Sequence, residues 1–127
     1  KRLKLKDNYN KILICPQSTD LNRNLSIKQL DRLILNFQTM YNQPKIVIAS
    51  SNKSFLRNGC NSFIFKKSRK SSLEFIDLVK TNSLIVCADS GPLHIALALK
   101  KDLIAFLNVT KPEIVINTGS CLRIEKS

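Results

Sequence analysis

The sequence predicts an α/β protein: a Rossmann-like parallel sheet of about five to six strands with helices on both faces. Short apolar runs without alternation, such as Ile12 to Ile14 and Leu84 to Ala88, are typical of strands buried on both faces. Segments with a helical spacing of apolar residues separate these runs. Strands that alternate with helices imply right-handed crossovers, and therefore a parallel sheet.

The length of the chain places these elements in one domain, because 127 residues form one hydrophobic core and leave no room for a second. We predict a linker or basic arm at residues 1–10 and the folded domain at residues 11–127. Residues 113–116 and 121–124 are predicted to be short extended pieces or helix. The predicted strands are 11–15, 45–49, 63–65, 84–88 and 103–107.

Capping boxes mark the start of two predicted helices. In this motif a serine side chain bonds to the backbone three residues later, where a Gln or Glu bonds back. Ser26 and Ser71 each precede such a residue by three positions, and the helix that follows Ser26 should end before Pro44. A third helix is predicted over residues 92–100, and a short one near Phe55.

Positive charge dominates the composition, since 21 Lys and Arg against nine Asp and Glu give a net charge of +12. Such a charge attracts nucleic acid, anionic lipid or phosphorylated ligands. A solvated tail and a solvated loop are the alternative explanation of the basic clusters. These clusters are Lys1, Arg2, Lys4 and Lys6, and Lys66, Lys67, Arg69 and Lys70.

The four cysteines are far apart and form no C-x-x-C pair, so the sequence predicts neither a zinc site nor a redox motif. Cys15 and Cys87 lie inside apolar runs, where a thiol behaves as a small hydrophobe, and this indicates a reducing compartment. Neither an apolar stretch near 18 residues nor a signal-peptide pattern is found, and we expect a cytoplasmic protein. Because the chain starts at Lys1 without methionine, we expect it to be a piece of a longer protein.

The turn at residues 89–94, Asp-Ser-Gly-Pro-Leu-His, says most about function, because it joins a predicted strand to a predicted helix. Backbone N–H groups in the first turn of a helix lack partners and lie at the positive end of its dipole, where they bind phosphate well. Gly91 lets a ligand approach the backbone, and Pro92 suits the first helical position. The turn therefore predicts an anion site at the carboxyl end of the sheet, although an ordinary strand-to-helix turn has the same composition.

Four segments in this order resemble glycosyltransferase family 9, the lipopolysaccharide heptosyltransferases. They are the strand and proline at residues 12–16, the loop cation Arg23, the turn at 89–94 and Thr110-Lys111-Pro112. The resemblance covers residues 11–112. It implies the C-terminal half of a GT-B fold, which is the half that holds the nucleotide-sugar donor.

The resemblance implies an inverting, metal-independent enzyme without a cofactor, which uses ADP-heptose or another nucleotide-diphospho-sugar in bacterial lipopolysaccharide or surface glycan synthesis. The general base and the site for a lipid-linked glycan acceptor would belong to an N-terminal domain. We therefore assign no catalytic residue to this sequence and expect residues 1–127 alone to be inactive. Peripheral contact with the anionic inner membrane is expected, and a nucleic-acid partner is not.

Site residues follow from the same resemblance. The donor diphosphate would be bound by Arg23, Ser90, Gly91, Leu93, Ser18 and Thr19. The donor sugar would be bound by Asp89 and His94. A solvated loop arginine and a histidine packed on the sheet are the alternatives for Arg23 and His94.

The sequence also departs from the family pattern. Gln17 stands where the family has glycine, and Leu25-Ser26 stand where it has Trp-Pro. Residues 50–53, Ser-Ser-Asn-Lys, follow the second strand where a carboxylate for the ribose is expected. Residues 108–110, Asn-Val-Thr, replace the closing Gly-Pro-Thr. The ribose contact is therefore unassigned.

Two other functions remain open on the sequence. One is a non-catalytic basic module that binds nucleic acid or anionic membrane. The other is a degenerate transferase half that is retained for folding or assembly.

Overall fold

The computed structural model describes residues 9–18, 24–88 and 91–106 with their side chains, and residues 113–118 and 122–126 as backbone. These residues form a sheet of seven strands in the order β3-β2-β1-β4-β5-β6-β7. The strands are β1 (Lys11–Cys15), β2 (Lys45–Ser50), β3 (Asn61–Ile64), β4 (Leu84–Ala88), β5 (Asp102–Phe106), β6 (Glu113–Thr118) and β7 (Leu122–Lys126).

Strands β1 to β5 are parallel, and β6 and β7 extend the sheet as an antiparallel hairpin on the far side of β5. The prediction of a Rossmann-like α/β fold is confirmed. The hairpin makes the sheet larger than the predicted five to six strands. Residues 113–118 and 122–126 form the two strands of this hairpin rather than helix.

Three helices cover the two faces of the sheet: α1 (Ile27–Met40), α2 (Arg69–Thr81) and α3 (Gly91–Ala98). One face packs Ile12, Ile14 and Val86 against α1. The other face buries Leu13 and Ile85 against side chains of α2 and α3. Each central strand thus alternates its side chains between two apolar layers, which explains why its sequence is continuously apolar.

The first helix begins as predicted. The side chain of Ser26 accepts a hydrogen bond from the backbone N–H of Gln29, at 3.1 Å, and the Gln29 side chain accepts one from the backbone N–H of Ser26, at 2.8 Å. The helix ends at Met40, four residues before Pro44, and Leu30, Ile34 and Phe37 form its buried face.

Replacing the capping serine should destabilise the fold. We expect Ser26→Ala to lower the free energy of unfolding by about 1 kcal/mol, because a donor in the first helical turn loses its acceptor. The control is Ser26→Thr, which keeps the hydroxyl and should lose a few tenths of a kcal/mol at most. Urea denaturation measures both, and equal losses for the two variants would contradict the capping role.

The predicted cap of the second helix is wrong. The helix begins at Arg69, and its N-cap is Ser68, whose side chain accepts a hydrogen bond from the backbone N–H of Ser71 at 3.1 Å. Ser71 lies one turn inside the helix and is buried, where its hydroxyl accepts a hydrogen bond from the backbone N–H of Lys66 at 3.0 Å. Ser68 thus caps the helix while Ser71 ties the preceding loop to it.

Tyr9 and Asn10, which fall within the predicted arm, contact the folded domain. The Tyr9 ring is 1% exposed, and its hydroxyl donates a hydrogen bond to Asp102 Oδ2 at 2.8 Å. The carbonyl oxygen of Asn10 accepts a hydrogen bond from the backbone N–H of Lys45, at 2.8 Å. Residues 1–8 lie outside the described residues, so the prediction of a linker there stays a prediction.

Candidate functional site

The site lies at the carboxyl ends of β1, β2 and β4. The chain moves from β1 outward to β2 and β3, then returns to the other side of β1 to form β4 and β5. The strand order therefore reverses between β1 and β4. In open parallel sheets, ligands bind outside the carboxyl ends of the strands at such a switch point.

A cleft of about 360 Å³ opens at this place. Its described lining contains no charged side chain. It comprises Cys15, Gln17, Ser18, Ala49, Ser51, Phe65, Gly91 and Pro92. The described part of the cleft is therefore neutral, with polar groups from the ends of β1 and β2 and with the start of α3 as one wall.

Gln17 connects the ends of β1 and β2. Its side-chain oxygen accepts hydrogen bonds from the backbone N–H of Ser51 and the hydroxyl of Ser50, both at 2.6 Å. The hydroxyl of Ser51 lies 3.1 Å from the same oxygen. Three donors thus converge on one oxygen and fix the side chain at the edge of the cleft.

The cysteine in the cleft is an apolar wall rather than a reactive group. Cys15 is buried and lies in register with Cys87 on β4, and neither forms a disulfide. Burial raises the pKa of the Cys15 thiol well above its usual value, and the neighbouring Cys87 raises it further. The thiol therefore stays protonated at neutral pH and is a poor nucleophile.

Helix α3 starts at the cleft with Gly91 and Pro92. A Cβ atom added to Gly91 would meet no described atom within 4 Å apart from the neighbouring residues and the helix backbone, so there is room beside the Gly91 backbone. Because N–H groups in the first turn lack partners within the helix and lie at the positive end of its dipole, an anion is the ligand that this wall favours.

A second, smaller groove of about 190 Å³ continues from the cleft between α2 and α3. The two share Phe65, Gly91 and Pro92. The groove adds Phe75 and Ile95 as apolar walls, with Lys66 and two serines also along it. An elongated ligand could extend from the cleft into this groove.

The structure brings two of the predicted site residues to the cleft, Ser18 and Gly91. Leu93 is 8% exposed, and its side chain packs into the core beneath α3. His94 is exposed on α3 and does not line the cleft. Arg23, Thr19, Asp89 and Ser90 lie outside the described residues, so all eight assignments stay predictions.

The ends of the loop that contains Arg23 are anchored beside the cleft. The backbone N–H of Leu25 donates to the carbonyl oxygen of Pro16 at 2.8 Å, and that of Ser18 donates to Asn24 Oδ1 at 2.7 Å. These bonds close the base of the loop between β1 and α1.

Sequence reasoning missed Gln17, Ser51 and Phe65 as lining residues. The first two follow β1 and β2, and neighbouring parallel strands end at the same edge of a sheet. A long polar side chain after one strand can therefore reach polar groups after the next. The sequence did not predict which strands are neighbours, so this relation follows from the observed pairing of β1 with β2.

The family model for glycosyltransferase family 9, described as heptosyltransferase, matches residues 10–119. The chain belongs to glycosyltransferase family 9. The matched span includes all five parallel strands and the whole cleft. Membership of family 9 confirms the resemblance noted in the sequence and implies a nucleotide-sugar donor and an acceptor in general terms.

Comparisons of this family 9 chain with curated proteins and with solved structures found no match. Among the described residues, no group of three or more His, Cys, Asp and Glu side chains could hold a metal ion. In the same part of the chain, no helix is long and apolar enough to cross a membrane.

Proposed function

We propose that this domain binds the nucleotide-diphospho-sugar donor of an inverting, metal-independent glycosyltransferase. The observation that carries the proposal is the cleft at the switch point of the sheet, in a chain that the family 9 model matches over residues 10–119. The start of α3 forms one wall of that cleft and favours the diphosphate.

In this proposal the negative charge of the leaving nucleoside diphosphate is stabilised by backbone N–H groups and cationic side chains. Ser90, Gly91 and Leu93 would supply N–H groups at the start of α3, since Pro92 has none. Arg23 would donate two parallel hydrogen bonds to phosphate oxygens. Ser18 and Thr19 would add hydroxyl contacts, and Asp89 and His94 would contact the sugar.

The finer proposal is a heptosyltransferase-like enzyme of bacterial lipopolysaccharide or surface glycan synthesis. ADP-heptose would be the donor, and a lipid-linked glycan bound by an N-terminal domain would be the acceptor. That domain would also supply the general base, so residues 1–127 alone should bind the donor without transferring its sugar. We place the enzyme in the cytoplasm at the inner membrane, where its net charge of +12 favours anionic lipid.

Calorimetry on the 127-residue chain tests donor binding, with ADP, UDP, their sugar conjugates and nucleoside monophosphates as ligands. We expect nucleoside diphosphates to bind, and Arg23→Ala to weaken them by about 1 to 3 kcal/mol, or roughly 5- to 150-fold, through the loss of charge-assisted phosphate contacts. The control Arg32→Ala removes the same charge from the exposed surface of α1 and should change affinity less than twofold. Absence of any diphosphate binding would contradict the proposal.

A second candidate function rests on the exposed basic cluster at Lys66, Lys67, Arg69 and Lys70. Two of these cations lie in the first turn of α2, where the helix dipole disfavours positive charge. If the protein is a basic module for nucleic acid or anionic membrane, its binding affinity should fall steeply as the salt concentration rises. Its binding would be lost when the four cations are neutralised and would be indifferent to changes at Asp89. Gel shift and vesicle sedimentation at two salt concentrations distinguish this function from donor binding.

A third candidate, a degenerate transferase half retained for folding or assembly, is supported by the missing ribose carboxylate after β2. It requires that no nucleotide sugar binds, and the same calorimetry tests it.

A further inference from the structure

We propose that Gln17 is a ligand-binding residue that donates its side-chain N–H groups to a phosphoryl oxygen of the ligand in the cleft. This inference rests on the proposed donor-binding function. It adds a residue outside the eight predicted site residues and states which end of a ligand that residue contacts.

The orientation of the Gln17 amide is fixed by the Ser51 backbone. The Ser51 N–H can only donate, so the atom that it contacts at 2.6 Å has to be the amide oxygen. The alternative orientation would place two N–H donors face to face. The amide nitrogen Nε2 is therefore on the side away from Ser51.

The oxygen of Gln17 is fully used, whereas the nitrogen is not. A carbonyl oxygen has two lone pairs, and here the donors on Ser50 and Ser51 occupy them. Nε2 carries two hydrogens and makes no hydrogen bond to any of the described residues. Because the side chain is half-buried and lines the cleft, a bound ligand can replace solvent as the partner of those hydrogens.

Ser50 makes this arrangement rigid. It is fully buried, and its hydroxyl oxygen accepts a hydrogen bond from the backbone N–H of Asn52 at 2.9 Å. The Ser50 Oγ lies closer to the Gln17 oxygen, at 2.6 Å, than to the Asn52 carbonyl oxygen, at 3.1 Å, which favours donation of its single hydrogen to Gln17. Gln17 is thus held in place before a ligand arrives, and binding loses little further side-chain entropy.

The surrounding charges indicate what Nε2 contacts. None of the described lining residues carries a carboxylate, and the start of α3, where the positive end of its dipole lies, also lines the cleft. The Gln17 amide and the start of α3 therefore both favour a hydrogen-bond acceptor. Phosphoryl oxygens only accept hydrogen bonds and carry negative charge, so they suit both groups.

Gln17→Glu tests this directly. The variant keeps one oxygen for the Ser50 and Ser51 donors and replaces the NH₂ group by a negatively charged oxygen of similar size. Gln38→Glu is the matched control, since it makes the same charge change at an exposed position of α1. Both are titrated by calorimetry with ADP, UDP and inorganic pyrophosphate, and thermal unfolding checks that each variant folds.

We expect Gln17→Glu to lower the affinity for each of the three ligands at least tenfold. Gln38→Glu should change these affinities less than twofold. If Gln17→Glu does not fold, Gln17→Met, which has similar length but no N–H, should weaken all three at least threefold. Unchanged or tighter binding by the folded Gln17 variant would overturn the inference. So would a loss limited to ADP and UDP, because it would place the contact on the nucleoside.

These outcomes separate the two proposals. If the unchanged chain binds none of the three ligands, the proposed donor-binding function fails, and the role of Gln17 fails with it. If the ligands bind but Gln17→Glu does not weaken them, only the role of Gln17 is wrong.

Discussion

Tyr9→Ala is expected to lower the free energy of unfolding by about 3 to 5 kcal/mol, because it empties a fully buried aromatic site. The Tyr9 ring packs edge-on against Tyr41, with 5.5 Å between ring centroids. Its hydroxyl also bonds to Asp102 on β5. Tyr9, ahead of β1, thus connects the C-terminal end of α1 with β5. Chemical denaturation of the 127-residue chain measures the loss.

Two tyrosine-to-phenylalanine variants separate the hydrogen bond from the packing. Tyr9→Phe should lower the free energy of unfolding by about 1 to 2 kcal/mol, because Asp102 loses a hydrogen-bond donor. Tyr41→Phe should lose nothing and can gain stability, since the buried Tyr41 hydroxyl has no hydrogen-bond partner among the described residues. Burial also raises the pKa of that hydroxyl. Equal effects of the two variants would contradict this account of the Tyr9 contact.

Phe75→Ala is the second change with a large expected effect, also about 3 to 5 kcal/mol. Phe75 is 3% exposed on the inner face of α2. Its ring lies 4.8 Å from the ring of Phe65 and 6.0 Å from that of Phe63, measured between centroids. Because Phe65 lines the cleft, the aromatic cluster links the stability of the sheet to the shape of the site.

Leu73→Ala is the matched control for Phe75→Ala on the same helix. Leu73 is 53% exposed, so its truncation leaves no cavity and should lower the free energy of unfolding by about 0.5 kcal/mol or less. Thermal or urea unfolding compares the two variants. A loss below 1 kcal/mol for Phe75→Ala would contradict the packing described for this face.

The central strands β1, β2 and β4 could be predicted because most of their side chains on both faces are buried. Continuous apolar runs such as Leu84–Ala88 have only one stable place, inside a sheet covered by helices. The start of α1 could also be predicted, because its capping box involves only neighbouring residues. In both cases local sequence and tertiary structure favour the same result.

Elements that depend on distant contacts were harder to predict. Ser68 and Ser71 lie three residues apart, and each has the side chain of an N-cap. The hydrogen bond from the Lys66 N–H to Ser71 decides between them, and it depends on how the loop after β3 closes. The secondary structure of β6 and β7 was ambiguous in the sequence. Strand β6 pairs with the edge of β5, and that edge exists only in the folded sheet.

The candidate site was predicted in part for the same reason. The helix start at Gly91 is a local feature, and the structure places it at the cleft. The side chain of Gln17 contributes through its contacts with Ser50 and Ser51, which are 33 and 34 positions further along the chain. Only the pairing of β1 with β2 brings these residues together.

The central claim, that the cleft at the carboxyl ends of β1, β2 and β4 binds a nucleoside diphosphate, is tested most directly by nuclear magnetic resonance. The isotope-labelled chain is titrated with ADP and with UDP while the backbone amide signals are followed. We predict that the signals of Gln17, Ser51 and Gly91 shift, and that those of Lys45 and Leu84 at the opposite ends of the strands do not. Shifts confined to that opposite end, or to the basic residues 66–70, would contradict the claim.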